Sequence, residues 1–266
     1  MLFTFDVIGK RPCRSLPVYL LITGALLSSC QSAQPADTLT ALQQPGVHYT
    51  TYKGETGRRT LVTLPDSSRV QLNAASTLQV PDNYGNGKRS VLLDGDAFFT
   101  VQPATDSFIV TSDKLRAAGP DATFRMRSFA AQHGATVYLL HGKIQVGKSY
   151  HSATDNQPEI LERGQMILAN NDIDLMEKET YHPEELEAWV SDTLVIRDAN
   201  VMAVSRILED WFGIDTEIRG DASKARIISN AAYYNATLED VLSNLSSQQD
   251  FTYKIKGNKA ILTFKN

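Results

Sequence analysis

The sequence predicts two folded parts: a mainly β domain of sandwich or jelly-roll type, followed by a small α+β domain of order β-α-β-β-α-β-β. Three observations carry that prediction. From about His48 to Leu175, short apolar-alternating segments recur roughly every ten residues, separated by turn residues, with no long amphipathic helix among them. Near Tyr181 the composition turns acidic and helix-prone. From Thr193 onward, two stretches with apolar residues three and four apart alternate with short strand-like runs.

The first segment, residues 1–29, reads as an export signal. Lys10, Arg11 and Arg14 form a positive start, an apolar run extends from Leu16 to Leu27, and the small residues Ser28 and Ser29 precede Cys30. The run is about a dozen residues, short of the roughly 20 needed to span a bilayer, and it contains Pro17 and Gly24. Leu27-Ser28-Ser29-Cys30 resembles the lipobox of bacterial lipoproteins, which implies cleavage before Cys30 and lipidation of its thiol. The alternative is an uncleaved single-pass signal anchor in the inner membrane. Gln31 stands where inner-membrane lipoproteins often carry aspartate, which points to the outer membrane. The only other cysteine, Cys13, would leave with the signal, so no disulfide is expected. Processing would leave 23 basic and 29 acidic residues, a charge of −6. An acidic chain with no basic block argues against nucleic acid as a partner. Residues 30–47 are polar, with Pro35 and Pro45, and read as a tether.

In the β domain, residues 48–180, Val70 and Leu72 alternate around Gln71, and Ala97, Phe99 and Val101 continue a period-two run begun at Val91 and Leu93. Phe108/Val110, Val137/Leu139 and Ile144/Val146 repeat the pattern. Pro65 fixes φ for a turn, and Asp66 can bond the backbone there. Asn73 and Ser76 turn the chain into the next strand. Gly95 and Gly142 are expected to supply positive φ at hairpin turns. Phe99 and Val101 are expected in the core, with Asp96 and Thr100 outside.

Residues 181–192 form a connecting helix, with Pro183 in its first turn and Leu186, Trp189 and Val190 on one face. The C-terminal domain, residues 193–266, opens with the strand Leu194-Val195-Ile196. Asp198 or Asn200 caps a helix whose apolar face is Val201, Val204, Ile207, Leu208 and Trp211, and Gly213 closes it. Ile214, Thr216 and Ile218 alternate as a strand, and another begins at Ile227-Ile228. Thr237 caps a second helix, with Asp240 in the capping-box position. Phe251, Tyr253 and Ile255 form a strand that returns through Gly257-Asn258 to Ala260, Leu262 and Phe264.

Leu64-Pro65-Asp66-Ser67-Ser68-Arg69-Val70-Gln71-Leu72-Asn73 resembles the leading motif of the FecR family. Val91 to Val101, with Gly95 and Phe99, is similar to its "L-x-G-E-A-Y-F-x-V" segment. Gly142-Lys143 with the flanking strands, and Leu161-Glu162-Arg163-Gly164-Gln165, resemble its "G-x-V-x-V" and "L-x-P-G-Q" elements. Residues 193–266 resemble the domain related to the secretin and TonB short N-terminal domain. Leu64, Pro65, Asp66, Arg69, Leu72, Asn73, Gly95, Phe99, Gly142 and Gly164 are the structural motif residues on this resemblance. Two departures stand out. Ala118 to Phe124 replaces "L-G-T-x-F", an extra turn expected to alter one β edge. About fifteen residues precede the apolar run, where the family carries a segment that binds an extracytoplasmic-function sigma factor.

No enzymatic constellation emerges. The five histidines (His48, His133, His141, His151, His182) have no metal-ligand spacing. Asp94-Gly95-Asp96 lacks the remaining ligands of a calcium loop. There is neither a phosphate loop nor a nucleophile elbow. No cofactor or metal is expected. The resemblance implies a non-enzymatic envelope signalling protein that contacts the periplasmic signalling domain of a TonB-dependent receptor, or a FecR-type regulator, in nutrient-uptake control. Ile214, Thr216, Ile218, Tyr253 and Phe264 are the candidate contact residues, through sheet-edge pairing. The alternative is a structural or carbohydrate-binding lipoprotein that stacks sugars on Tyr84, Phe98 and Tyr138.

Overall fold

The structure, a computed structural model, describes residues 38–265. The export signal, Cys30 and the first part of the tether lie outside the described residues. Helix α1 (Thr38–Leu42) buries Leu39. There follow β1 (Tyr49–Lys53), β2 (Thr60–Thr63), β3 (Arg69–Leu72), β4 (Thr77–Pro81), β5 (Arg89–Thr100), β6 (Phe108–Thr111), β7 (Leu115–Gly119), β8 (Ala122–Ser128), β9 (Gly134–Gly142), β10 (Ile144–Lys148), β11 (Glu159–Leu161), β12 (Gln165–Asn170) and β13 (Leu175–Thr180).

These strands form the predicted β domain, with a difference in construction: both layers belong to one sheet of 13 strands folded almost to closure. The 12-residue β5 is the shared spine. Its first half pairs with β4 and β6, in the arm β1-β4-β5-β6-β7-β10-β11. Its second half pairs with β3 and β8, in the arm β2-β3-β5-β8-β9-β12-β13. A strand that passes between layers must bend. At Gly95, with φ +135, a Cβ would lie 2.3 Å from the Cβ of Ser76. Gly142, at φ +83, joins β9 in one arm to β10 in the other, and its Cβ would lie 2.2 Å from the Asp121 carbonyl. Both glycines therefore serve corners, not the expected hairpin turns. Likewise Pro120-Asp121 links β7 to β8 across the arms, and since neither strand is an edge, no β edge is altered. Between the arms, Phe99 stacks on Phe124 at 4.9 Å and lies 5.8 Å from Phe108, with Val70, Leu72 and Leu93 around them.

Helix α2 (Glu184–Val190) buries Leu186 and Trp189, but Val190 points to solvent, so the expected three-residue face is two residues wide. The C-terminal domain has the predicted element order: β14 (Thr193–Ala199), α3 (Val201–Phe212), β15 (Asp215–Arg219), a short 3-10 turn, β16 (Ile228–Tyr234), α4 (Leu238–Gln249), β17 (Phe251–Lys256) and β18 (Lys259–Phe264). Its strands form two sheets: an antiparallel β14-β16 pair, and β15-β18-β17 with β15 parallel to β18. Asn200 caps α3 by accepting from the Ala203 N–H, and Gly213 ends it in the left-handed region. Thr237 and Asp240 complete a capping box on α4. Among the described residues, no helix is long and apolar enough to cross a membrane.

The C-terminal core does not stop at the domain boundary. Phe98 and Leu140, on the outer face of the β domain, pack into it with Trp189, Trp211 and Leu208. Fully burying one such side chain contributes about 1.5–3 kcal/mol. The two domains thus share a core.

Candidate functional site

Alternation along β5 sends Phe99 into the β core and Asp96 and Phe98 to the opposite face. That face meets the C-terminal domain. Asp96 is 0% exposed, against the expectation that it lies outside. Arg125, from the paired β8, grips its carboxylate with both arms of the guanidinium: Nε donates to Oδ1 at 2.9 Å and Nη2 to Oδ2 at 2.6 Å. The same Nη2 donates to the Asp210 carboxylate of α3 at 3.0 Å, and Arg127 Nη1 donates to it at 3.1 Å. Asn73, at the corner between β3 and β4, donates to Asp96 at 3.2 Å and to the Asp210 backbone carbonyl at 2.6 Å. Two arginines therefore tie two carboxylates, one from each domain, and the Asn73 amide ties the Asp96 carboxylate to the backbone of α3.

Burial by itself would raise the Asp96 pKa. The Arg125 charge and hydrogen bonds, with Arg127 and the Asn73 amide, more than offset burial and hold the carboxyl below its ordinary range. Burial by itself would lower Arg125, and the two carboxylates keep its pKa raised instead. Such a forked, charge-assisted pair is geometrically specific. Breaking it from one side costs about 3–5 kcal/mol, because the other charge is left buried.

A second layer of the joint is aromatic. The Arg59 guanidinium lies 3.8 Å from the Trp189 ring centre and 3.4 Å from that of Trp211, while Arg125 lies 3.9 Å from Trp189. Burial pushes the Arg59 guanidinium down to about 9, against the opposing pull of Asp192, its ion-pair partner at 3.3 Å. Desolvated cation–π contacts contribute about 2 kcal/mol each. The close fit continues at Gly213, where a Cβ would come within 2.7 Å of Ala74. Two clefts border the joint. One of about 720 Å³ includes Arg125, Trp189, Val195, Arg197, Arg206 and Ile207 in its lining. The other, about 480 Å³, includes Arg58, Leu61, Asp192 and Asn235.

The candidate contact residues do not form one surface. Ile214 and Phe264 are buried in the C-terminal core. Thr216 uses its N–H and hydroxyl on the Glu209 carboxylate, at 3.0 and 2.6 Å, which occupies part of the outer edge of β15. Ile218 is partly buried against the same core. Tyr253 is half-buried on β17, whose hydroxyl reaches Glu239 at 3.3 Å. Of the aromatics read as sugar platforms, Tyr84 and Phe98 are buried, and Tyr138 packs edge-on against Tyr181 at 5.1 Å. They present no stacking face, and the carbohydrate reading loses its residues.

The motif residues lie within the β domain. Leu64 and Leu72 are buried. Pro65 and Arg69 are exposed. Asp66 accepts from the Ser68 N–H at 3.0 Å and from Arg89 at 3.1 Å. Gly164, at φ +80, connects β11 to β12. The buried Arg89 also donates to the carbonyls of Gln102 and Pro120, pinning three loops at one end of the domain. Sequence reasoning placed Asp96 outside and passed over Arg125, Arg59 and Asp210; the alternating Arg125-Met126-Arg127 was the available signal of a charged outer face.

Residues 50–145 match the family described as FecR protein, and residues 193–262 match the one described as FecR, C-terminal. Two crystal structures of a candidate anti-sigma factor from Parabacteroides distasonis ATCC 8503, at 1.65 and 2.50 Å, share the fold. Each has a TM-score of 0.55 and 21% identity, covering 82% of this chain and 100% of the other. No curated protein matches the chain.

Proposed function

The chain belongs to the FecR family, and from that premise we propose that it relays an envelope signal by receiving a partner protein on its C-terminal domain. Members of the family are signalling proteins of the cell envelope, not enzymes. The partner in this reading is the periplasmic signalling domain of a TonB-dependent receptor, or a FecR-type regulator whose action on a sigma factor this chain tunes. The anti-sigma description of the structurally similar Parabacteroides protein is consistent with such a role. Lipid on Cys30 would hold the processed chain on the outer membrane, facing the periplasm. Two acyl chains give stable attachment where one gives marginal binding.

The observation that carries the docking reading is the open edge of β17. This strand pairs with β18 on one side and with no strand on the other among the described residues. Its exposed Lys254 and Lys256 discourage self-association of that edge while leaving it open to a strand from a partner. The opposite edge, β15, is partly taken by Glu209. Crosslinking in cells followed by purification of the full chain tests the reading. A TonB-dependent receptor or FecR-type regulator should be recovered, and Ile255→Pro, which removes an outward-facing N–H of β17, should abolish recovery. Recovery of neither partner, or undiminished recovery with Ile255→Pro, would overturn it. Intact-mass analysis of the membrane fraction tests the anchor separately: a chain beginning at an acylated Cys30 is expected, and an unmodified Cys30 refutes it.

A further inference from the structure

A different surface of the C-terminal domain carries unused charge. The cleft of about 720 Å³ is bounded by Leu194, Val195 and Arg197 of β14, by α2 through Glu184 and Trp189, and by α3 through Arg206 and Ile207, so its arginines outnumber its carboxylates. Strand β14 pairs with β16 alone among the described residues, so its other edge carries backbone groups without a strand partner. Arg197 and Arg206 are exposed and make no ion pair among the described residues, in a chain whose net charge is −4. The remaining arginine of the cleft, Arg125, is committed to Asp96 and Asp210.

We infer that this cleft docks an extended acidic segment of a partner protein, whose backbone adds to the edge of β14 and whose carboxylates meet Arg197 and Arg206. Charge complementarity selects the occupant: two unsatisfied guanidiniums beside apolar walls suit a strand that alternates acidic and apolar residues. At about 3.3 Å per residue, the seven residues of β14 offer length for a segment of comparable size. Asp210 and Arg125 line the same cleft, so a carboxylate arriving there competes with Asp210 for Arg125 and bears directly on the domain joint. This docking is independent of the β17 edge.

Trp189 and Trp211 are the only tryptophans of the chain and both line the cleft, which makes intrinsic fluorescence the readout. The full chain is titrated with a peptide of alternating glutamate and valine, and in parallel with one of alternating lysine and valine. The acidic peptide should produce a saturable change in emission that weakens with added salt, and the lysine peptide should produce none. The Arg197→Ala/Arg206→Ala double variant should bind the acidic peptide about tenfold or more weakly, and Ile255→Pro should bind it as the parent does. No saturable change, equal response to the lysine peptide, or undiminished binding by the arginine variant would each overturn the inference. Loss of binding in Ile255→Pro would overturn it too, by moving the site to β17.

Discussion

One strand, β5, meets two environments. Its inward face, through Ala97 and Phe99, enters an apolar core in which the ring of Phe99 stacks on Phe124. Its outward face, through Asp96 and Phe98, meets the C-terminal domain, where apolar burial is mixed with a buried ion network. The inner core is non-directional: many shapes fill it at some cost. The outer joint is directional: Asp96 accepts both arms of Arg125, and no other residue type reproduces that fork. The β domain can thus be stable in its own right, while its orientation toward the C-terminal domain is specified by a few polar atoms.

The largest effect should come from the inner face. Phe99→Ala should cost about 3–5 kcal/mol, seen in denaturant unfolding as a lower midpoint for a single cooperative transition. Arg125→Met should follow, at about 3–5 kcal/mol for leaving a buried carboxylate without its main partner. Here the unfolding curve should separate into two steps, the C-terminal domain detaching first. A single step would mean that apolar packing around Phe98 dominates the joint.

Acid should distinguish the faces as well. The folded pKa of Asp96 lies below its unfolded value of about 3.9. Its contribution is therefore complete above about pH 4 and is lost as the pH falls through the folded pKa. Stability of the joint should decline in that acid window, while the Phe99 core contains no titrating group in its stack. Denaturant unfolding of Asp96→Asn should show a smaller decline than the parent; an equal decline would assign the acid sensitivity to other carboxylates. The smallest effect should be Thr237→Ala, about 1 kcal/mol from the lost cap of α4, measured as a small shift in the unfolding of the C-terminal domain.

The same comparison explains what could be read from the residues alone. Period-two spacing placed Phe99 and Val70 in the core, and the capping signals at Asn200, Gly213 and Thr237 located both C-terminal helices, because each depends on neighbours a few residues away. Alternation also put Asp96 on the face opposite Phe99. What it could not supply is the cover on that face, which comes from Asp210, more than a hundred positions later. Gly95 and Gly142 are turn residues by type, yet their need for glycine arises from Ser76 and Asp121, in segments some twenty residues away. Ile214 and Phe264 carry strand-like alternation, and alternation alone does not tell a core-facing residue from one free to meet a partner. The proposed contact surfaces lie in edges and unpaired arginines, which become visible only when the pairing of every strand is known.

Hydrogen exchange of the full chain in Arg125→Met tests most directly whether buried charge holds the two domains as one body. Faster exchange confined to α3 and β14, with β5 and β12 as protected as in the parent, is the expected result. Exchange that quickens evenly through both domains, or that does not change at all, would contradict a joint built on Asp96, Arg125 and Asp210.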